Sequence, residues 1–280
     1  YPDDRVLEIA QHRAREKQFL NDIGIETARW AAITRAGQID VAMEDFGIDK
    51  AILKTARFGY DGKGQTSFTK GQDARAVWRE LQTTEAILEE KIDFSCEISV
   101  IVARDKLGQT ALYGPILNEH KNHILAKSTV PAPIPERVAE KARSLTHLLA
   151  DAVDLIGVLC LEFFVTSDGR LLANEIAPRP HNSGHWTMDA CAASQFEQHI
   201  RAVVGLPLAD PARHHDAVMR NLIGPEGMEA WPRLVATRGV VPHLYGKASA
   251  RPGRKIGHAT RLLPMGSLAG LTDAEALKGL

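Results

Sequence analysis

Two periodicities divide this chain. Residues 4–21 place Val6, Ile9, Ala10, Phe19 and Leu20 around a highly charged centre, which predicts one helix or two short ones. Residues 51–54 read as a strand and residues 65–71, QTSFTKG, as a second short extended piece, so the polar stretch between them bridges two strands. A helix follows over residues 73–83, with Ala74, Val77, Trp78 and Leu81 on one face. The runs AILEEKI, SCEISVIVARD and QTALYGPI predict three strands, the last two joined by a turn at Leu107-Gly108. Pro131, Pro133 and Pro135 interrupt the chain before a long helix over residues 136–155.

GVLCLEFFV and LLANEIAP then read as a strand pair separated by TSDGR, followed by a single helix over residues 188–204 that Gly205 and Pro207 terminate. LADPARHHDA has the composition of a linker, with His214 and His215 exposed in it. Beyond it, a glycine- and proline-rich region offers the strands AVMRNLIG and VVPHLYG and ends in RPGRKIGHATR.

Composition narrows the function classes. The 280 residues are enough for two domains, and 44% hydrophobic with 25% charged residues is ordinary for a globular protein. Thirty-four basic residues against thirty-five acidic ones leave no global field for nucleic acid or an anionic membrane, so any anion site is local. No apolar run reaches the roughly 18 residues of a membrane helix, and the charged start YPDDRVLEIAQHRAREK does not resemble a secretory leader, so a cytoplasmic protein is expected. Cys96, Cys160 and Cys191 are few, odd in number and far apart, which predicts buried free thiols. A first residue of Tyr1 leads to the expectation that the gene product is longer.

The bridging stretch KTARFGYDGKGQT holds Gly59, Gly62 and Gly64 beside Lys54, Arg57 and Lys63. A Walker loop would put Lys-Ser/Thr after the second glycine and open a helix, and a dinucleotide fingerprint would space its glycines GxGxxG; neither template fits. A hairpin whose backbone amides fold over phosphates, with Lys54 at its base, remains, alongside a plain solvated hairpin.

Glu162 and Glu175 bring a second chemistry. A two-residue Asp168-Gly169 turn would set them opposite each other, where like charges repel at a Cβ spacing of about 4.5–5.5 Å. A magnesium ion shared with substrate phosphates would relieve that repulsion, and Asn174 could add an oxygen. In APRPHNSGHW, a zinc pair from His181 and His185 would need a helix that Pro180 and Gly184 disfavour, so a substrate-holding loop fits better. The basic run KASARPGRKIGH lacks interleaved aromatics and suits a single phosphate group better than a nucleic acid.

Together, IAQHRAREKQFL, GYDGKGQ, IDFSCEISV, LEFFVT with NEIAPRPHNSGHWT, and RPGRKIGH resemble the ATP-grasp superfamily. Within it they are most similar to the N5-carboxyaminoimidazole ribonucleotide synthase family of purine biosynthesis, over residues 6–258. The last two motifs are the specific ones. The resemblance implies an α/β (α+β) architecture: an ATP-grasp domain over residues 1–205 with a lid subdomain at about 31–90, and a small β-rich domain over 206–280. Family members also carry an amino-terminal Rossmann-like domain, for which this sequence shows no counterpart.

The resemblance further implies substrates, namely ATP, bicarbonate and 5-aminoimidazole ribonucleotide, and a homodimer. Arg13 and Lys54 would approach ATP phosphates under a lid of Gly59, Tyr60, Asp61, Gly62, Lys63, Gly64 and Gln65. Glu89, Glu90, Lys91 and Ile92 would line the adenine pocket, Glu97 would take the ribose hydroxyls, and His120 would lie near the nucleotide. Glu162 and Glu175 would hold Mg2+ with Asn174 alongside. Arg179, His181, Asn182, Ser183 and His185 would bind bicarbonate and the ribonucleotide; Lys247, Arg254 and Lys255 would reach its phosphate and the reacting region. Asp61 is the candidate acceptor of the amine proton. Another ATP-grasp ligase, of the formate-dependent transformylase or biotin carboxylase type, and a non-catalytic nucleotide-binding module are the alternatives.

Overall fold

A computed structural model describes residues 1–59 and 63–280. The amino-terminal segment forms two helices, α1 (Asp4–Ala10) and α2 (Arg13–Asp22). The lid follows as β1 (Trp30–Ile33), α3 (Gly37–Phe46), β2 (Lys50–Thr55), β3 (Gln65–Thr69), α4 (Ala74–Leu81) and β4 (Ala86–Glu90). Its strands make an antiparallel sheet in the order β1-β4-β2-β3. Ile33, Leu53, Phe68 and Leu88 form its core against Ile39 and Met43 of α3.

The body contains β5 (Cys96–Arg104), β6 (Thr110–Lys121), β7 (Ile124–Val130), α5 (Glu136–Ala152), β8 (Gly157–Val165), β9 (Leu171–Ala177), α6 (Thr187–Ala190) and α7 (Gln195–Val204). β10 (Asp216–Ile223), β11 (Val240–Leu244) and β12 (Lys255–Leu263) complete an eight-stranded sheet, ordered β11-β12-β10-β7-β6-β5-β8-β9. The carboxy-terminal strands thus continue the body's sheet through β10 pairing with β7.

The central strands are apolar on both faces because both faces are covered. Ile98, Val100 and Val102 of β5 pack with Leu159, Leu161 and Phe163 of β8 beneath α1, α2 and α5, while Ile101, Ala103, Val158 and Cys160 point into a second core with Trp186. This explains why SCEISVIVARD and GVLCLEFFV lack strict alternation. All three thiols are free, as expected, and Cys160 and Cys191 are buried, but Cys96 is only half-buried.

Two sequence expectations are corrected. The helix expected over residues 188–204 is broken: α6 ends at Ala190, Cys191 is extended and bridges Arg213, and Ser194 starts α7 by accepting the Glu197 amide on its hydroxyl. The β8–β9 turn is also not a two-residue turn. Thr166 pairs with Arg170 around a three-residue loop with Gly169 at φ +79°, held because the Asp168 carboxylate accepts from the Thr166 hydroxyl and from Arg170.

Candidate functional site

A cleft of about 920 Å³ is lined by residues of both sheets. Arg13 opens α2, Lys54 lies near the end of β2, and Gly59, Lys63 and Gln65 come from the glycine hairpin; Glu97, His120, Glu162, Asn174 and Glu175 come from the body strands. Arg179, His181 and Asn182 follow β9, and Lys255 begins β12. Distant segments therefore meet where the sequence placed its candidate chemistry.

The hairpin is built for close approach. Gly64 adopts φ +71°, and a Cβ there would lie 2.7 Å from the Thr55 hydroxyl, so a side chain is excluded twice over. Arg13 reaches across to the carbonyl of Gly59 at 3.5 Å and to Glu175 at 3.6 Å, linking the lid to the carboxylate strand. Tyr60, Asp61 and Gly62 lie outside the described residues, and with them the lid-tip and proton-acceptor assignments.

On the lid side, Glu89 is buried between two lysines. Lys17 sits 2.7 Å from one of its oxygens and Lys54 pairs with the other. Burial alone would raise this carboxyl, but Lys17 and Lys54 outweigh it and hold Glu89 down to about 2. Burial lowers the Lys54 ammonium, with Glu89 opposing. Lys17 also donates to the carbonyls of Ala173 (3.3 Å) and Asn174 (2.9 Å), joining lid and body. Beside it, desolvation raises the buried Glu16 carboxyl to about 8, and Glu16 accepts the Ile176 amide at 2.6 Å.

The opposite wall gathers carboxylates. Glu97, His120 and Glu162 present ligand atoms all within 4.8 Å of one another, and His120 contacts Glu97 at 3.1 Å. Glu162 and Glu175 reach the same cleft by a route different from the expected one. The register steps between Leu161–Ile176 and Phe163–Ala173, so a β-bulge sets both Asn174 and Glu175 against the single Glu162. Glu162 takes His181 as its partner at 3.0 Å, whereas Glu175 takes Arg13. The Asn174 side-chain oxygen is buried and has no hydrogen-bond partner among the described residues.

The loop after β9 is a 3-10 turn, Asn182–Gly184, not a helix, which disposes of the zinc pair: His181 turns to Glu162 and His185 to Gln195. Gly184 is required, since a Cβ would stand 2.3 Å from Ile101 and 2.8 Å from the Gln195 side chain. His181 is positioned from below by a buried chain. The Ser128 hydroxyl donates to Asn118 at 2.9 Å, Asn118 donates to Ser99 at 2.8 Å, Ser99 meets Ser183 at 2.8 Å, and Ser183 meets His181 at 2.8 Å. Burial opposes protonation of His181, but the Cys160 sulfur and the Glu162 carboxylate raise it to about 10. Burial drives His185 and His258 down, to about 4 and about 3.

Some expected residues do not line this cleft. Glu89, Glu90, Lys91 and Ile92 are absent from its walls, although Phe94, two residues on, lines it and stacks on Phe164 at 4.6 Å. Ser183 lies underneath, and His185 is set back. Lys255 faces the cleft, while Lys247 donates to its carbonyl at 2.6 Å and Arg254 turns to Ser249; both are exposed. Lys17, Glu16, the Ser128–Ser183 chain and the Phe94–Phe164 stack were not anticipated from sequence. The only local signal for the first two was an unusually charged centre in a helix.

A glycine hairpin over a lysine, facing a carboxylate hairpin across a cleft between a small lid sheet and a large sheet, defines an ATP-grasp ligase. The ATP-grasp domain family matches residues 18–196, and the phosphoribosylaminoimidazole carboxylase C-terminal domain matches residues 217–265. An N5-carboxyaminoimidazole ribonucleotide synthase of Brucella melitensis is 51% identical over 265 residues, 94% of this chain and 73% of that protein. The synthase of Bacillus subtilis is 40% identical over 91% of this chain and 67% of its own length. Among solved structures, the synthetase of Thermus thermophilus superposes with a TM-score of 0.88 at 37% identity, covering 100% of this chain and 74% of that one. The Aspergillus clavatus synthase in complex with ADP and 5-aminoimidazole ribonucleotide gives 0.87 at 27% identity, covering 94% and 70%. The chain belongs to the N5-carboxyaminoimidazole ribonucleotide synthase family. Among the described residues no helix is long and apolar enough to cross a membrane.

Proposed function

We propose that this protein uses ATP and bicarbonate to carboxylate the amine of 5-aminoimidazole ribonucleotide in the cytoplasm, giving N5-carboxyaminoimidazole ribonucleotide. The single observation that carries this reading is the convergence on one cleft of the lid lysine Lys54, the carboxylates Glu162 and Glu175, the loop residues His181 and Asn182, and Lys255.

Arg13, Lys54 and the hairpin amides receive the ATP phosphates, and the Phe94–Phe164 stack offers an apolar face beside them. The donor set fits Mg2+: two carboxylates, Glu162 and Glu175, and a buried Asn174 oxygen with no other partner among the described residues, all hard oxygen ligands. When bound, magnesium would neutralise phosphate charge. Bicarbonate is a poor electrophile, so transfer of the γ-phosphoryl group to one of its oxygens, releasing ADP, forms carboxyphosphate. The exocyclic amine attacks the carboxyl carbon, phosphate leaves, and Asp61 takes the amine proton. Arg179, His181 and Asn182 hold the reacting carboxyl group, and Lys255, with Lys247 and Arg254 on the same turn, takes the ribonucleotide phosphate. The lid keeps water from the mixed anhydride. The exposed apolar stripe Phe196, Ile200 and Val204 on α7 supports a homodimer.

ADP release by the full-length protein, with magnesium and ATP, tests the assignment when bicarbonate alone is compared with bicarbonate plus 5-aminoimidazole ribonucleotide. Strong stimulation by the ribonucleotide is expected. Indifference to it would overturn the acceptor, and stimulation by formate or biotin would favour another ligase of this fold.

A further inference from the structure

Away from the cleft walls, Asp189 of α6, His243 of β11 and His258 of β12 present ligand atoms within 4.8 Å of one another. His243 Nε2 lies 2.9 and 3.2 Å from the two Asp189 oxygens, and the His243 and His258 rings are stacked at 4.7 Å. His258 is 1% exposed, and its Nε2 has no hydrogen-bond partner among the described residues. A buried imidazole nitrogen left without a partner costs free energy and calls for an explanation. The other ring nitrogen, Nδ1, is 2.9 Å from the Tyr245 hydroxyl. If Nδ1 carries the proton and donates it to Tyr245, the Nε2 lone pair faces inward, which is the tautomer a metal-ligating histidine adopts.

We propose that Asp189, His243 and His258 form a zinc-class site. Two imidazole nitrogens and one carboxylate suit a borderline ion such as Zn2+ and not Mg2+, which prefers oxygen ligands. Ligands about 2.0–2.2 Å from a tetrahedral ion stand roughly 3.4 Å apart, close to the Asp189–His243 spacing; the two imidazole planes lie 22° from parallel, so the His258 ring must turn out of the stack for both lone pairs to meet one ion. A water completes the fourth position. The three ligands come from the loop-proximal helix and two carboxy-terminal strands, so the ion would clamp α6 to the strand that begins with Lys255. The site is a structural brace and performs no step of the reaction.

Zinc titration of the chelator-stripped full-length protein, by calorimetry in saturating Mg2+, tests this. Close to one equivalent should bind, and zinc at about 100-fold above its Kd should raise Tm by roughly 5 °C. X-ray absorption at the zinc edge should report two imidazoles. Asp189→Asn and His243→Gln should each weaken binding by on the order of 10-fold to 100-fold; the two variants guard against one failing to fold. Glu97→Gln, in the other His-carboxylate cluster, should retain uptake. No zinc uptake, or uptake that survives both Asp189→Asn and His243→Gln but is lost in Glu97→Gln, would overturn the proposal.

Discussion

The two sides of the cleft, the lid side behind its lining and the body side along it, handle buried charge in different ways. On the lid side Lys17 and Lys54 close on the single carboxylate of Glu89, and Lys17 fills its remaining capacity with the carbonyls of Ala173 and Asn174. On the body side Glu97, Glu162 and Glu175 each meet one basic partner, His120, His181 and Arg13, while the Asn174 oxygen has none among the described residues. The first network sets two ammonium groups on one carboxylate without a ligand; the second pairs its carboxylates singly and leaves the Asn174 oxygen open beside them. A cleft that offers Arg13, Lys54 and Lys255 together with the Glu162 and Glu175 carboxylates and an open amide oxygen suits a polyphosphate carried with its counterion. The difference teaches that satisfaction, more than charge, separates residues that hold the fold from those that hold the substrate.

That contrast breaks most visibly at Glu89. Glu89→Gln should destabilise the protein by about 3–5 kcal/mol in urea denaturation at pH 7, because two buried ammonium groups lose their counter-charge. The pH dependence follows from the sign of the shift. A carboxyl held at about 2 in the folded chain, below its ordinary 4.5, contributes stability that is present above 4.5 and is lost as pH falls through about 2. The variant should lack that acid limb, and a variant as stable as wild type would show that the lysines need no partner.

Glu175→Gln should do the reverse. Turnover should fall on the order of 10²-fold or more while stability stays within about 0.5 kcal/mol, since this side chain is half-exposed and its contact with Arg13 is long at 3.6 Å. Glu162→Gln should lose turnover and also some stability, because the buried His181 is left without its counter-charge. A large loss of Tm in Glu175→Gln would contradict the reading of this wall as a ligand site. A smaller effect is expected from Lys247→Ala or Arg254→Ala: about a 10-fold rise in KM for the ribonucleotide with KM for ATP unchanged. Equal effects on both substrates would contradict their placement.

Much of the cleft lining was legible, because its residues cluster in three short motifs with strong turn chemistry: the glycine hairpin of the lid, and the two-strand hairpin and the HNSGH loop of the body. The closed wall was not. Lys17 and Glu89 lie far apart in sequence, and a buried charge pair leaves no periodicity to find. The β8–β9 register shows how two residues expected to face each other can do so despite an incorrect turn. Thr166, Asp168 and Arg170 bind one another and lengthen the loop by one residue, and the bulge of Asn174 and Glu175 against Glu162 takes the slip back. Likewise, the apolar spacing over residues 188–204 concealed a break made by Cys191 pairing with Arg213 and by the Ser194 cap, contacts that only the fold supplies.

The finest test lies where the two kinds of network meet. The chain Ser128, Asn118, Ser99, Ser183 is buried and satisfied like the lid-side cluster, yet it ends on His181 and so on the open wall. Ser128→Ala removes its far end, more than two strands from the carboxylate it serves. If the chain only supports the sheet, the variant should lose about 1 kcal/mol of stability and nothing else. If it sets the direction in which His181 faces Glu162, the same loss should come with a few-fold rise in KM for the ribonucleotide and an unchanged KM for ATP, and Ser128→Thr, which restores a hydroxyl, should recover most of it. Identical kinetics in Ser128→Ala and wild type would assign the whole chain to the closed, structural side of the comparison.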